Sequence, residues 1–217
     1  MQASRVLVRC SALVFSLAAV GAAHAVQLLQ GRDINGTPVA PDAATAVMEY
    51  DPNLNITWLR DWNAKGAMNW NAAKTWASGL TVGTFGGWSL PSALNQDGSG
   101  PCGPASNCTG SQMGYMYYTE LGNVAFPEAG YGMSNKGPFQ NVQSNFYWSG
   151  TGSASAPGSA WFFRTDFGFQ GSFGTNFEFY AVAVRPGDVA GVPEAQTWAL
   201  MLAGLGAVAV ALRRRPG

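Results

Sequence analysis

A chain of 217 residues that is 47% hydrophobic and 12% aromatic carries enough apolar surface to fill the core of one domain, which excludes a disordered polymer. Only 11% of it is charged, against about 25% in ordinary soluble domains, and 28 residues are Gly, a balance suited to a loop-rich domain containing β-strands. The overall net charge of zero conceals a division: between Val26 and Val192 there are 7 basic and 11 acidic residues, a net of −4, so no nucleic-acid partner is expected.

The chain opens on the three parts of a secretory signal peptide, residues 1–25. Arg5 and Arg9 precede an apolar run from Cys10 to Ala22, and Ala23-His24-Ala25 places small residues around a cleavage point between Ala25 and Val26. A retained anchor is the alternative, but the run is short and ends in the cleavage pattern. Cys10 stands at the very start of the apolar run, too early for lipoprotein processing. His24 is the only histidine and leaves with this segment, which removes any Ser-His-Asp or Cys-His nucleophile and any His-ligated metal from the exported chain.

Residues 26–191 read as one globular domain. Strands are expected over Ala46–Tyr50 and Asn55–Leu59. From Asn69 to Leu80, Trp70, Ala73, Trp76, Ala77 and Leu80 recur at helical spacing. A short strand over Trp88–Leu90 leads into a Gly/Pro-rich loop, Asn95–Gly110, which holds Cys102 and Cys108. In an exported chain an isolated pair six positions apart reads most simply as a disulfide, with a two-thiolate metal site as the alternative. A second helix is expected over Ser111–Leu121, capped by Thr109 or Ser111 and ended by Gly122. Strands follow over Phe146–Ser149, Ala160–Thr165, Gly168–Phe173 and Phe179–Arg185, with a loop at Gly150–Ser159. Two helices early and short strands late give an α+β fold.

The end of the chain, residues 192–217, has a different character. Trp198 to Leu212 is uncharged and mostly apolar, and Arg213, Arg214 and Arg215 follow at once, so the span is expected to enter the membrane with the arginines in the cytoplasm. With Val192-Pro193-Glu194 and Trp198-Ala199-Leu200 ahead of a Gly-broken apolar run, this tail resembles the PEP-CTERM sorting signal; Ala195 stands where that signature has a second Pro. The resemblance implies an exosortase-like membrane protease as a transient partner, a membrane-anchored stage before processing, cleavage near Pro193-Glu194, and display on the cell surface or in a polysaccharide-rich matrix.

A second resemblance covers most of Asp51 to Asp188. Its motifs are the segment Asp51 to Leu59, the helix with Trp70 and Trp76, Gly86-Gly87-Trp88-Ser89-Leu90-Pro91, Gly114 to Tyr118, Glu120-Leu121-Gly122-Asn123, Tyr147-Trp148-Ser149-Gly150, Ala160-Trp161 and Val184-Arg185-Pro186. In this order they resemble the Lcl C-terminal-domain family, although Ser89 stands where many relatives carry Arg. The resemblance implies a compact C-type-lectin-like fold with several short, mostly antiparallel strands, and adhesion to glycans. The tripeptides that mark calcium-dependent sugar sites in true C-type lectins are absent from this sequence, and a net acidic domain is a poor partner for sulfated glycans.

Aromatic residues are the richest source of candidate chemistry, because the C–H faces of sugars pack on exposed rings. Trp88, Trp148 and Trp161 are expected in the core, whereas Trp62, Phe167 and Phe169, set among Gly, Asp and Asn in expected turns, are the candidate ligand-binding residues. Asp51-x-Asn53-x-Asn55 begins like a calcium loop but has Ile56 and Trp62 where Gly and Glu are required, so a surface Asx turn is expected and no metal site. Glu120, Glu128, Asp166 and Glu178 are the acids from which a glycosidase pair would be drawn; sequence cannot bring two of them together, and Glu120 reads as a partner for an Arg. No phosphate loop or dinucleotide fingerprint is present, Asn107-Cys108-Thr109 reads as a chance sequon, and neither enzyme activity nor a cofactor is expected. The function expected is binding or organising extracellular polysaccharide; a purely structural matrix component and a matrix-acting hydrolase are the alternatives.

Overall fold

The computed structural model describes residues 28–190. The signal-peptide residues through Ala25 and Val26, the tail residues Pro193 and Glu194, the apolar span 198–212 and Arg213, Arg214 and Arg215 lie outside the described residues. Among the described residues no helix is long and apolar enough to cross a membrane.

The body is α+β, with two antiparallel sheets and two short helices. One sheet has the order β2 (Pro38–Val39), β1 (Gln30–Arg32), β3 (Met48–Asp51), β4 (Ile56–Leu59) and β9 (Val184–Pro186). The other runs β5 (Ala105–Ser106), β8 (Phe169–Gly174), β7 (Ser159–Arg164) and β6 (Phe146–Gly152). The first and last strands share a sheet, and Arg32 clasps Asp188 with two charge-assisted hydrogen bonds of 2.8 and 2.6 Å.

Helix α1 (Trp70–Gly79) forms where the apolar spacing places it. The Asn69 side chain caps its start by accepting from the Ala72 N–H at 3.0 Å, and Ala73 and Ala77 face the core. The second expected helix is shorter. Ser111 caps α2 (Gln112–Tyr115), and the chain then widens into a π-helical turn, Met116–Glu120, in which the Leu121 N–H reaches the Met116 carbonyl. Met116 and Tyr117 are buried there, while the Tyr118 hydroxyl donates to the Gly168 carbonyl.

Two expected strands change character. Trp88–Leu90 is a single bridge, in which Ser89 exchanges two 2.8 Å hydrogen bonds with Val184. In Phe179–Arg185 only the end is a strand. Phe179 bonds both ways to Met68 and Tyr180 bridges Tyr147, so the segment crosses from the edge of β6 to that of β4. Ala181 to Val184 are all buried, so the expected division into a buried and an exposed face is absent.

Trp58, Trp62, Tyr147 and Phe139 form the centre of the core. Trp62 is 1% exposed, stacks on Trp58 with ring centroids 5.7 Å apart and lies 4.8 Å from the Phe139 ring. This corrects the expectation that Trp62 is exposed. Its neighbours do form a polar turn, with the Asp61 carboxylate accepting from the Asn63 N–H, but the Trp62 N–H bonds the Gln140 carbonyl and the indole goes inward. Rings of this size bury roughly 150–250 Å² at about 25 cal/mol per Å², several kcal/mol each. The core assignment holds for Trp88, Trp148 and Trp161.

Candidate functional site

Hairpin β7–β8 turns through Thr165-Asp166-Phe167-Gly168, and Gly168 adopts the left-handed conformation, φ +62°. A side chain at position 168 would place its Cβ 2.6 Å from the Tyr118 hydroxyl and 2.9 Å from Tyr117 Cε1, so glycine is required twice over. The turn is pinned from below by Tyr118 and from the side by the Phe126 N–H, which donates to the Phe167 carbonyl at 3.1 Å.

Phe126 belongs to the loop after the π-helical turn. Buried Asn123 closes this loop: its side-chain oxygen accepts from the Asn135 N–H at 2.9 Å and its amide donates to the Asn135 carbonyl at 2.8 Å. The clamp brings Tyr131 back beside Phe126. The result is a three-ring cluster, with centroids 5.2 Å apart for Phe126–Tyr131, 5.2 Å for Phe126–Phe167 and 5.8 Å for Tyr131–Phe167. Phe126 is 49% exposed and Tyr131 46%. Arg164 lies over the Phe167 ring at 4.1 Å and the Phe146 ring at 4.5 Å, and it holds Asp166 in a bidentate pair at 3.0 and 2.6 Å. An exposed aromatic surface therefore sits beside a fixed cation and a carboxylate, an arrangement able to stack a sugar ring and hydrogen-bond its hydroxyls.

Of the three aromatic residues singled out from sequence, only Phe167 belongs to this cluster. Trp62 is in the core, and half-buried Phe169 packs towards Phe162, centroids 6.4 Å apart. Phe126 and Tyr131 were missed. Their signal was the glycine density of Gly122, Gly130, Gly132 and Gly137 around them, all with positive φ, which marks the segment as an exposed turn-rich loop.

The acids stand apart from one another in role. Asp166 is paired with Arg164, and Glu128 and Glu178 are exposed. Glu120 does not pair with an Arg: its carboxylate accepts from the Asn53 amide at 2.8 Å. Burial and then the nearby Asp51 charge push Glu120 up to about 7, against the opposing Asn53 hydrogen bond. Asp51 forms the expected Asx turn, accepting from the Asn53 and Leu54 N–H groups, but it is fully buried rather than on the surface, and burial raises its pKa. Among the described residues no group of three or more His, Cys, Asp or Glu gathers to hold a metal ion. Glu49 is also fully buried, with Arg60 3.6 Å away; Arg60 spends its hydrogen bonds on the Ala43, Ala46 and Pro138 carbonyls. Burial pushes Glu49 up to about 8 despite Arg60 and Arg32.

Cys102 and Cys108 form a disulfide, Cα atoms 5.6 Å apart. The loop they close is docked on the second sheet, where buried Gln170 of β8 donates to the Cys102 carbonyl at 2.8 Å and β5 pairs with β8.

Residues 191–215 match the PEP-CTERM protein-sorting motif, whereas no curated protein and no solved structure matches the chain. The motif implies an exported protein that is anchored transiently in the membrane and processed by an exosortase-type system.

Proposed function

We propose that the exported body binds and organises extracellular polysaccharide on the cell surface or in the matrix, and that the Phe126–Tyr131–Phe167 cluster is its sugar platform. The carrying observation is that two exposed rings, Phe126 and Tyr131, pack with half-buried Phe167 beside the Arg164–Asp166 pair. A monomeric domain gains nothing in stability from leaving Phe126 and Tyr131 half in water, and exposed apolar groups rimmed by polar ones favour an interaction surface. Sugar C–H faces suit such rings, while Asp166 and Arg164 offer an acceptor and donors to ring hydroxyls. The net charge of −4 between Val26 and Val192 disfavours densely sulfated chains. Within this reading the fold is C-type-lectin-like, supported by the pairing of first and last strands in one sheet and the long loops borne by the other. The protein acts by binding, without catalysis.

The test is a glycan array probed with the secreted chain ending at Gly191, with and without calcium. Binding to at least one polysaccharide class is expected, together with its loss in Tyr131→Ala and Phe167→Ala. An array without signal refutes the proposal and leaves a purely structural matrix component; polysaccharide shortened during incubation would instead favour a hydrolase.

A further inference from the structure

Five residues along β6 from Phe146, about 16 Å at roughly 3.3 Å per residue, Thr151 lines an open cleft of mixed polar and apolar wall between α1 and the segment Ser89–Ser92. The cleft holds about 500 Å³; Lys74, Thr75, Ser78, Ser89, Ser92 and Thr151 give it polar groups, and Leu90 and Gly150 complete its wall. Ser92 also lines a second hollow of about 410 Å³, whose wall carries the amides of Asn95, Gln96 and Gln112, so the two hollows adjoin at that residue. This run of hydroxyls and amides is separate from the aromatic platform, at the other end of β6.

Lys74 is the unusual member. Its ammonium lies 4.0 Å from the centre of the Trp70 ring, and that ring is fixed by its indole N–H donating to the Ser149 carbonyl at 2.7 Å. The ion pairs among the described residues join Arg32 to Asp188, Arg60 to Glu49 and Arg164 to Asp166, which leaves Lys74 without a carboxylate. In a body that is net acidic, an unpaired cation is held at the wall of a hydroxyl-lined cleft.

We propose that this cleft is a second saccharide site, which takes a stretch of an acidic polysaccharide and reads a uronate carboxylate with Lys74. The inference deepens the polysaccharide reading above and rests on it. Pyranose hydroxyls both donate and accept, which matches walls of Ser, Thr, Asn and Gln side chains. One ammonium complements one carboxylate per stretch of chain, while the surrounding negative charge repels a denser polyanion. Two sites on one body let a single molecule engage two stretches of polysaccharide at once, which turns modest affinities into avidity and gives a physical route to organising a matrix.

The experiment is calorimetric titration of the chain ending at Gly191, which keeps every described core contact, with a β-1,4-linked glucuronate hexasaccharide and a glucose hexasaccharide of the same linkage. The wild type is expected to prefer the glucuronate, and Lys74→Gln to weaken that ligand about tenfold while leaving the glucose oligomer unchanged, the loss of one charge-assisted hydrogen bond. Ser89→Trp, at an exposed position that fills the cleft, is expected to weaken both; Lys74→Gln carries the test alone if that variant misfolds. Glucuronate binding as in the wild type by Lys74→Gln overturns the proposal. Failure of the wild type to bind either hexasaccharide also overturns it. In either case, array binding that is lost in Tyr131→Ala leaves the platform reading standing, whereas an empty array defeats both.

Discussion

Replacing Gly168 with Ala tests the link between the core and the aromatic platform. Gly168 combines a φ of +62° with a packed environment, whereas Gly158 has a φ of +81° and nothing within 4 Å of where a Cβ would sit. Gly158→Ala therefore isolates the left-handed backbone cost, roughly 1 kcal/mol. Gly168→Ala carries that cost and also drives its methyl group to 2.6 Å from the Tyr118 hydroxyl, 2.9 Å from Tyr117 Cε1 and 3.2 Å from the Ala125 backbone. Tyr117 cannot yield easily, being 1% exposed and packed 5.2 Å from Phe163, and overpacking of this kind costs about 1–3 kcal/mol. Gly168→Ala should thus lose about 2–4 kcal/mol and exceed Gly158→Ala by about 1–3 kcal/mol, read from urea midpoints at constant slope. Because the Phe126 N–H is bonded to the Phe167 carbonyl, the shifted turn should also weaken polysaccharide binding, while Gly158→Ala should not. Equal losses of stability in the two variants, within about 0.5 kcal/mol, would refute the packing argument.

Other consequences are open to measurement. Glu49 has its pKa raised from 4.5 to about 8 by burial, so the folded chain holds a proton that the unfolded chain releases. Its contribution to stability is full below pH 4.5 and falls as pH rises through 8; the loss is on the order of 3 kcal/mol between about pH 5 and pH 8, and Glu49→Gln should remove that part of the pH dependence in urea titrations. An unchanged slope in the variant would show that Glu49 stays ionised. Trp62→Ala should cost about 3–5 kcal/mol, as expected of a large buried ring, and a loss under about 1 kcal/mol would return Trp62 to the surface. Changing Cys102 and Cys108 together to Ser should lower stability by about 2 kcal/mol in the chain-entropy account yet leave the fold, since Gln170 and β5 still hold the loop; circular dichroism and urea unfolding read both. Replacing Pro193 and Glu194 should leave the protein at its uncut mass in the membrane of a host with its exosortase, while a chain ending at Gly191 should be exported without anchoring; identical masses in hosts with and without the protease would contradict sorting by cleavage.

Local chemistry made much of this protein legible in its sequence. Asn69, Ser111 and the apolar spacing after them set the starts of both helices, because a capping side chain and a buried stripe act within a turn or two of chain. The cysteine pair and the sorting tail were readable for the same reason: a six-residue separation and a run of apolar and basic residues need no tertiary partner to be recognised. Tertiary structure alone decided which aromatic rings meet water. Trp62 sits in a polar turn and still goes inward, because Phe139 and Tyr147, about eighty residues further on, converge on it beside neighbouring Trp58. Phe167 meets Phe126 and Tyr131, about forty residues earlier in the chain, only once the Asn123–Asn135 clamp folds their loop against the β7–β8 turn. Such long-range convergence leaves no periodic trace in the chain, since the burial of a side chain depends on what is packed over it and not on its neighbours in sequence.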